Sequence, residues 1–133
     1  MRCVDGRETG VALGAAGGVL LFAVLTSMPR DDDQQAQIRE CRRILCPGGL
    51  LYVSDLLLND DARNIERYDR FEAKYGVRGV FELPDGGVMR HQQESWLRSL
   101  LADFQLVHCE HLVVETMNGS TSRALQAIGR SPH

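Results

Sequence analysis

A chain of 133 residues, 44% hydrophobic and 25% charged, has the makeup of one ordinary globular domain, with enough apolar material for a single core and too much for global disorder. The formal charge of −3 and the absence of any long block of like charge exclude a nucleic-acid surface or an acidic-lipid surface. Cys3, Cys41, Cys46 and Cys109 form no C-x-x-C pair and read as reduced thiols of a cytoplasmic protein.

Residues 1–18 show no clear period and read as a flexible lead, with the folded domain expected over 19–133. The uncharged stretch from Gly10 to Met28 approaches the length of a membrane span. Gly10, Gly14, Gly17 and Gly18 interrupt it, no basic n-region precedes it, and Arg30 is followed at once by Asp31, Asp32 and Asp33, so a soluble reading is preferred. Within it VLLFAVL, Val19 to Leu25, is a short continuous apolar run of the kind buried on both faces of a parallel sheet. It stops at Thr26-Ser27-Met28-Pro29.

Asp31-Asp32-Asp33 marks a helix start, and Ile38, Cys41 and Leu45 give that helix an apolar stripe at spacings of three and four. Arg39, Arg42 and Arg43 fall late in it, where cations suit the helix dipole. Cys46-Pro47-Gly48-Gly49 is a helix stop, with a left-handed glycine expected at the end. LLYVS, Leu50 to Ser54, is then a second buried strand, capped by Asp55. Strand, helix and strand with short joints make a right-handed βαβ unit with parallel strands.

A second helix is expected from Asp60 to Tyr75, with Ile65, Tyr68, Phe71 and Tyr75 on one side. Gly76 to His91 reads as a hairpin turning at Pro84-Asp85-Gly86-Gly87, where proline presets φ and glycine accepts the left-handed position. A third helix from about Gln92 to Asp103 should bury Trp96, Leu97, Leu100 and Leu101. The closing segments QLVHCEHLVVETM and SRALQAIG flank Asn118-Gly119-Ser120 as an antiparallel hairpin. On such a strand His108 points away from Cys109 and His111, and two ligands without a third do not make a metal site. The fold class expected is therefore α/β, a Rossmann-like partial doubly wound sheet: a parallel βαβ unit, then helices, then a C-terminal antiparallel hairpin.

The run Arg39-Glu40-Cys41-Arg42-Arg43-Ile44-Leu45-Cys46-Pro47-Gly48-Gly49-Leu50-Leu51-Tyr52-Val53-Ser54-Asp55 resembles the "E-x-x-R-V-L-x-P-G-G-x-L" stretch of class I S-adenosylmethionine-dependent methyltransferases, which joins helix D to strand five. The resemblance extends over about Val19 to Gly129, with the motif-bearing part confined to Val19–Asp55. It implies that VLLFAVL is strand four, LLYVS strand five, and the closing hairpin strands six and seven, with strand seven antiparallel between five and six. It also implies S-adenosylmethionine as cofactor and a methyl acceptor of small-molecule type. The family's glycine loop after strand one and carboxylate after strand two have no counterpart before Val19, so this chain is expected to be the C-terminal portion of a methyltransferase domain, not competent alone and awaiting an N-terminal half.

By the same resemblance, the wall left for the cofactor is the end of strand four, at Val24, Leu25 and Thr26. The acceptor side is the end of strand five and the elements beyond it, where Asp55, Arg63, Arg67, Tyr68 and His91 are the polar groups to watch; His91 is a general base by residue type, or a helix cap. The alternative reading is a non-catalytic half-domain derived from a methyltransferase that survives by self-association. Strand 19–25 would then join two copies edge to edge, because nothing in it blunts an unpaired edge.

Overall fold

The computed structural model describes residues 10–115 and 121–132. Four strands form one sheet: β1 (Ala16–Phe22), β2 (Leu45–Leu56), β5 (Gln105–Glu115) and β6 (Thr121–Arg130), in the order β1-β2-β6-β5. β1 and β2 run parallel, and β6 is antiparallel to both of its neighbours. The expected α/β class and the insertion of the last strand between the two before it are both present. The Asn118-Gly119-Ser120 turn lies outside the described residues, as do Cys3 and the first half of the lead.

One face of this sheet carries the core. Leu21 of β1, Leu51 and Val53 of β2, and Leu125 and Ala127 of β6 pack with Ile38 and Cys41 of α1 (Asp31–Ile44) and Leu97 of α3 (Glu94–Leu100). Alternation along β1 follows from the pleat: Leu21 is buried while Leu20 and Phe22 are 68% and 62% exposed. Trp96 is only half-buried, because its indole N–H reaches Gln34 Oε1 at 2.6 Å and keeps the ring at the helix surface. α2 (Ala62–Tyr75) and the hairpin of β3 (Val80–Glu82) and β4 (Val88–Arg90) form a separate small cluster beyond the end of β2. Tyr68, Val80 and Phe81 are buried there, each 1% exposed, whereas Ile65 of the expected stripe is 37% exposed.

Two sequence expectations need correction. β1 starts at Ala16, earlier than the apolar run, and ends at Phe22, earlier than Leu25. Ala23 turns the chain with φ +51°, and Leu25–Ser27 forms a 3-10 turn that sends Leu25 into the core at 1% exposure. The apolar character of Val24 and Leu25 therefore serves burial in a turn, which periodicity alone does not separate from a strand. The uncharged stretch 10–28 is thus strand and turn, and no described helix is long and apolar enough to cross a membrane.

The second correction concerns the glycine pair. α1 stops at Ile44 with Leu45 already extended, so no glycine caps it. Gly48 has φ +77° and donates its N–H to Ser131 O at 3.0 Å, kinking the entry of β2 toward the C-terminal segment. Gly49 is needed for a different reason: a Cβ there would stand 2.9 Å from Cys46 O and 3.3 Å from Ala16 O. Gly48→Val should cost about 1–2 kcal/mol through its left-handed backbone. Gly49→Val should cost more, roughly 2–3 kcal/mol, because backbone must move to admit the side chain. Urea midpoints of the two variants in the order Gly48→Val above Gly49→Val check this; the reverse order would contradict the close approach of β1.

Candidate functional site

The carboxyl ends of β1 and β2 open on a cleft of about 600 Å³, roofed by α2 and the β3–β4 hairpin. Open α/β sheets bind ligands at this end, where the strand ends leave a crevice. Ala23 and Thr26 line its β1 side and Leu56 its β2 side; Arg63 and Arg67 come from α2, and Phe81, Met89 and His91 from the hairpin.

The floor is fixed by the side chain of Asp55. It is 2% exposed and accepts the N–H groups of Leu56 at 2.9 Å and Thr26 at 3.2 Å. Thr26 in turn donates its hydroxyl to Arg90 O at 2.8 Å. Arg90, itself 4% exposed, reaches Asp31 Oδ1 at 2.6 Å and Pro29 O at 3.2 Å. Burial raises the Asp55 carboxyl from 3.8 to about 6, against the lowering effect of the N–H groups that point at it.

His91 follows Arg90 directly, and its backbone N–H donates to Gly79 O at 2.9 Å. Gly79 has φ +114°, and a Cβ there would meet His91 O at 2.3 Å, so only glycine permits this crossing. The ring is 4% exposed and stands edge-on to Phe81 and Tyr68. Tyr68 Oη lies 2.6 Å from His91 Nδ1 and also accepts the N–H of Asn59 at 3.0 Å. Tyr68 is 1% exposed, and Nδ1 is the one acceptor its hydroxyl meets among the described residues, so the phenol proton goes to Nδ1 and the imidazole proton to Nε2. Burial holds the imidazole down from 6.5 to about 4, with Arg67 adding to the effect and Asp61 opposing it. His91 therefore presents a neutral N–H, a hydrogen-bond donor, and Nε2 has no partner among the described residues. It does not cap α3, whose N-cap is Gln93.

Of the residues singled out in the sequence, Thr26, Arg63, Arg67 and His91 line the cleft. Leu25 is in the core, Val24 packs against it, and Asp55 and Tyr68 are buried behind the wall, each one holding a residue that does reach the cleft. Sequence reasoning missed Phe81 and Asp61. Asp61 caps α2, accepting from the N–H of Asn64 at 3.2 Å and from its Nδ2 at 2.6 Å. The Asp61-Ala62-Arg63-Asn64 spacing is a legible N-cap signal once the helix start is moved one residue along.

The two buried titrations act in opposite directions. A histidine held neutral in the fold loses its contribution as pH falls from 6.5 toward 4, because only the unfolded chain takes up the proton. A carboxyl raised to about 6 contributes most below 3.8 and loses that contribution as pH rises through 6. Each is worth about 3 kcal/mol at full extent, so over pH 4–6 they largely offset. Relative to wild type, His91→Gln should gain stability on going from pH 7 to pH 4.5, and Asp55→Asn should lose it. Urea melts at the two pH values measure this; parallel shifts in both variants would refute the opposed linkage.

No protein-family model matches the sequence, and no curated protein sequence does. Solved structures match strongly in shape. A SAM-dependent methyltransferase from Methanosarcina mazei superposes with a TM-score of 0.89 at 22% identity, covering 96% of this chain and 65% of that one. The 1,6-didemethyltoxoflavin-N1-methyltransferase of Burkholderia thailandensis, solved with 1,6-didemethyltoxoflavin and S-adenosylhomocysteine, gives 0.63 at 16% identity, covering 96% of this chain and 48% of that one. The cyclase SpnF gives 0.65 at 16% identity, covering 98% and 55%. The chain thus spans about half to two thirds of the length of these structures. Its strand order, parallel β1 and β2, and inserted antiparallel β6 are those of the class I S-adenosylmethionine-dependent methyltransferase fold.

Proposed function

We propose that this chain forms the acceptor-side portion of an S-adenosylmethionine-dependent methyltransferase. The observation that carries the reading is the position of the cleft, at the carboxyl ends of the parallel pair β1 and β2 in a sheet of this fold. Methyl transfer from a sulfonium asks the protein mainly for alignment and charge placement, so the lack of a nucleophile–base pair is no obstacle. The cofactor, when bound, supplies an electrophilic methyl group. This chain's residues fit one edge of it: Ala23 and the Thr26 backbone line the β1 side, while the Thr26 hydroxyl and N–H are already engaged by Arg90 and Asp55. Val24 and Leu25 act by packing the turn. Arg63, Arg67 and His91 then face the acceptor, with Asp55 and Tyr68 as positioning residues. A cytoplasmic location accords with Cys41, Cys46 and Cys109 as free thiols.

With a single edge of the cofactor contacted, the 133-residue chain should bind S-adenosylhomocysteine only weakly, with Kd nearer millimolar than micromolar, about −4 kcal/mol. Amide shifts on titration should map to residues 23–27. Shifts confined elsewhere, or none at millimolar ligand, would reject the methyltransferase reading.

A second reading, a self-associating half-domain without catalysis, draws on one observation. β1 has no partner on its outer edge among the described residues, and Leu20 and Phe22 stand exposed beside it. Residues 10–15 leave that edge open, turning instead toward α1 through the hydrogen bond from Gly14 N to Arg43 O at 2.9 Å. Sedimentation at micromolar concentration should then show a dimer whose amides from Ala16 to Phe22 resist exchange. A monomer would reject pairing through this strand.

A further inference from the structure

Arg63 and Arg67 stand one helical turn apart on α2 and both line the cleft. Among the described residues neither has a carboxylate within ion-pair distance. Arg67 donates to Asn64 Oδ1 at 3.1 Å and lies 4.6 Å from the centroid of the Phe81 ring. Their neighbours outside the cleft behave differently: Arg70 pairs with Glu66 at 2.8 Å, and Arg78 with Asp69 and Glu72 at 2.9 Å. Asp61 also lines the cleft, but its two oxygens are engaged by Asn64 as the cap of α2. Burial, and after it the nearby Arg63 charge, lower the basicity of Arg67, against Tyr68, Asp61 and Glu66, which raise it. On the hairpin side the cleft is apolar, with Phe81, Leu83 and Met89, while the strand side adds Glu115, which forms no ion pair with either arginine among the described residues, and the hydroxyls of Thr121 and Ser122.

A guanidinium pair left unpaired beside an aromatic wall is complementary to a planar oxyanion carried on an apolar body, since arginine forks match carboxylate geometry. We propose that the cleft takes a small aromatic or apolar carboxylate, its anion held by Arg63 and Arg67, its body laid against Phe81 and Met89, and the His91 N–H available to a second polar group. Calling that carboxylate the methyl acceptor rests on the methyltransferase reading; the anion site itself stands on the side chains alone.

Benzoate and its neutral isostere benzamide are the probes, titrated into the whole chain and followed by amide shifts and calorimetry. Benzoate should bind about tenfold tighter than benzamide, a difference of about 1.4 kcal/mol, with shifts at residues 63–67, 81 and 91. Arg63→Gln and Arg67→Gln should each remove most of that preference, weakening benzoate far more than benzamide, while Arg70→Gln should change neither. Should Arg67→Gln disturb the fold through its Phe81 contact, the exposed Arg63 still decides. Equal binding of the two probes, absence of benzoate shifts at the cleft, or benzoate binding indifferent to Arg63→Gln would overturn the proposal. Benzoate selectivity without S-adenosylhomocysteine shifts at 23–27 would keep the anion site and remove methyl transfer. The opposite result would keep methyl transfer and remove the anionic acceptor.

Discussion

Asp55, next to last in β2, has its carboxyl buried and takes the N–H of Thr26 from the 3-10 turn, so the turn after β1 is tied to the end of β2 rather than left to wander. Thr26 passes the constraint on by donating its hydroxyl to Arg90 O, and Arg90 carries it to Asp31 at the start of α1. Three chain segments far apart in sequence are thereby locked at one point, and the cleft is the space just beyond it. A carboxyl in so dry a place is costly to ionise, and its raised pKa is the visible sign of that cost. Gln34 does similar work from below, its amide reaching Leu25 O and Met28 O while its oxygen takes the Trp96 N–H. Polar groups this buried are tolerated because partners meet nearly all their demands.

The parts of the fold that were legible in sequence are those written in period and punctuation. The α1 stripe at Ile38 and Cys41, the Pro84-Asp85-Gly86-Gly87 turn and the two closing strands each carry a local signal that tertiary context did not override. What misled was apolar content without geometry. Val24 and Leu25 read as strand because they are hydrophobic, yet Ala23 turns the chain and buries Leu25 from a 3-10 turn. Gly48 and Gly49 read as a helix end because glycine often sits there, yet the structure uses one for a kink and the other for close approach to β1. The Tyr68–His91 hydrogen bond joins positions 23 residues apart, and no spacing rule reaches that far.

The site was legible by residue type and illegible by depth. Arg63, Arg67 and His91 were named as polar groups beyond the second strand, and all three reach the cleft. Asp55 and Tyr68 were named on the same grounds and stand behind it, because nothing in a lone sequence separates a side chain that touches ligand from one that holds the side chain that does. The difference lies in the partner atoms. Both oxygens of Asp55 meet backbone N–H groups and the Tyr68 hydroxyl meets Asn59 and His91, so each is spent on the fold, buried and away from the cleft surface. The histidine shows the same logic in reverse. Residue type marks it as a general base; with the tyrosine on Nδ1 and the proton on Nε2, the resting ring meets the cleft as a hydrogen-bond donor.

Fold and chemistry part company at this point. The structures that match this chain in shape include enzymes named for methyl transfer and one named for cyclisation, so the sheet order alone does not dictate the reaction. What such a sheet favours is a place for a ligand, in the crevice beyond the carboxyl ends of its parallel strands. Local choices around that crevice then set what enters it. Here α2 places two guanidiniums, and the hairpin places Phe81 and a histidine whose tautomer is fixed by a buried phenol. Each of these comes from the segment between β2 and α3, which forms its own small cluster and shares little of the main core. A segment packed in that way can change its side chains without unsettling the sheet, so selectivity can vary in the α2–hairpin cluster while Asp55 and Thr26 keep the floor in place.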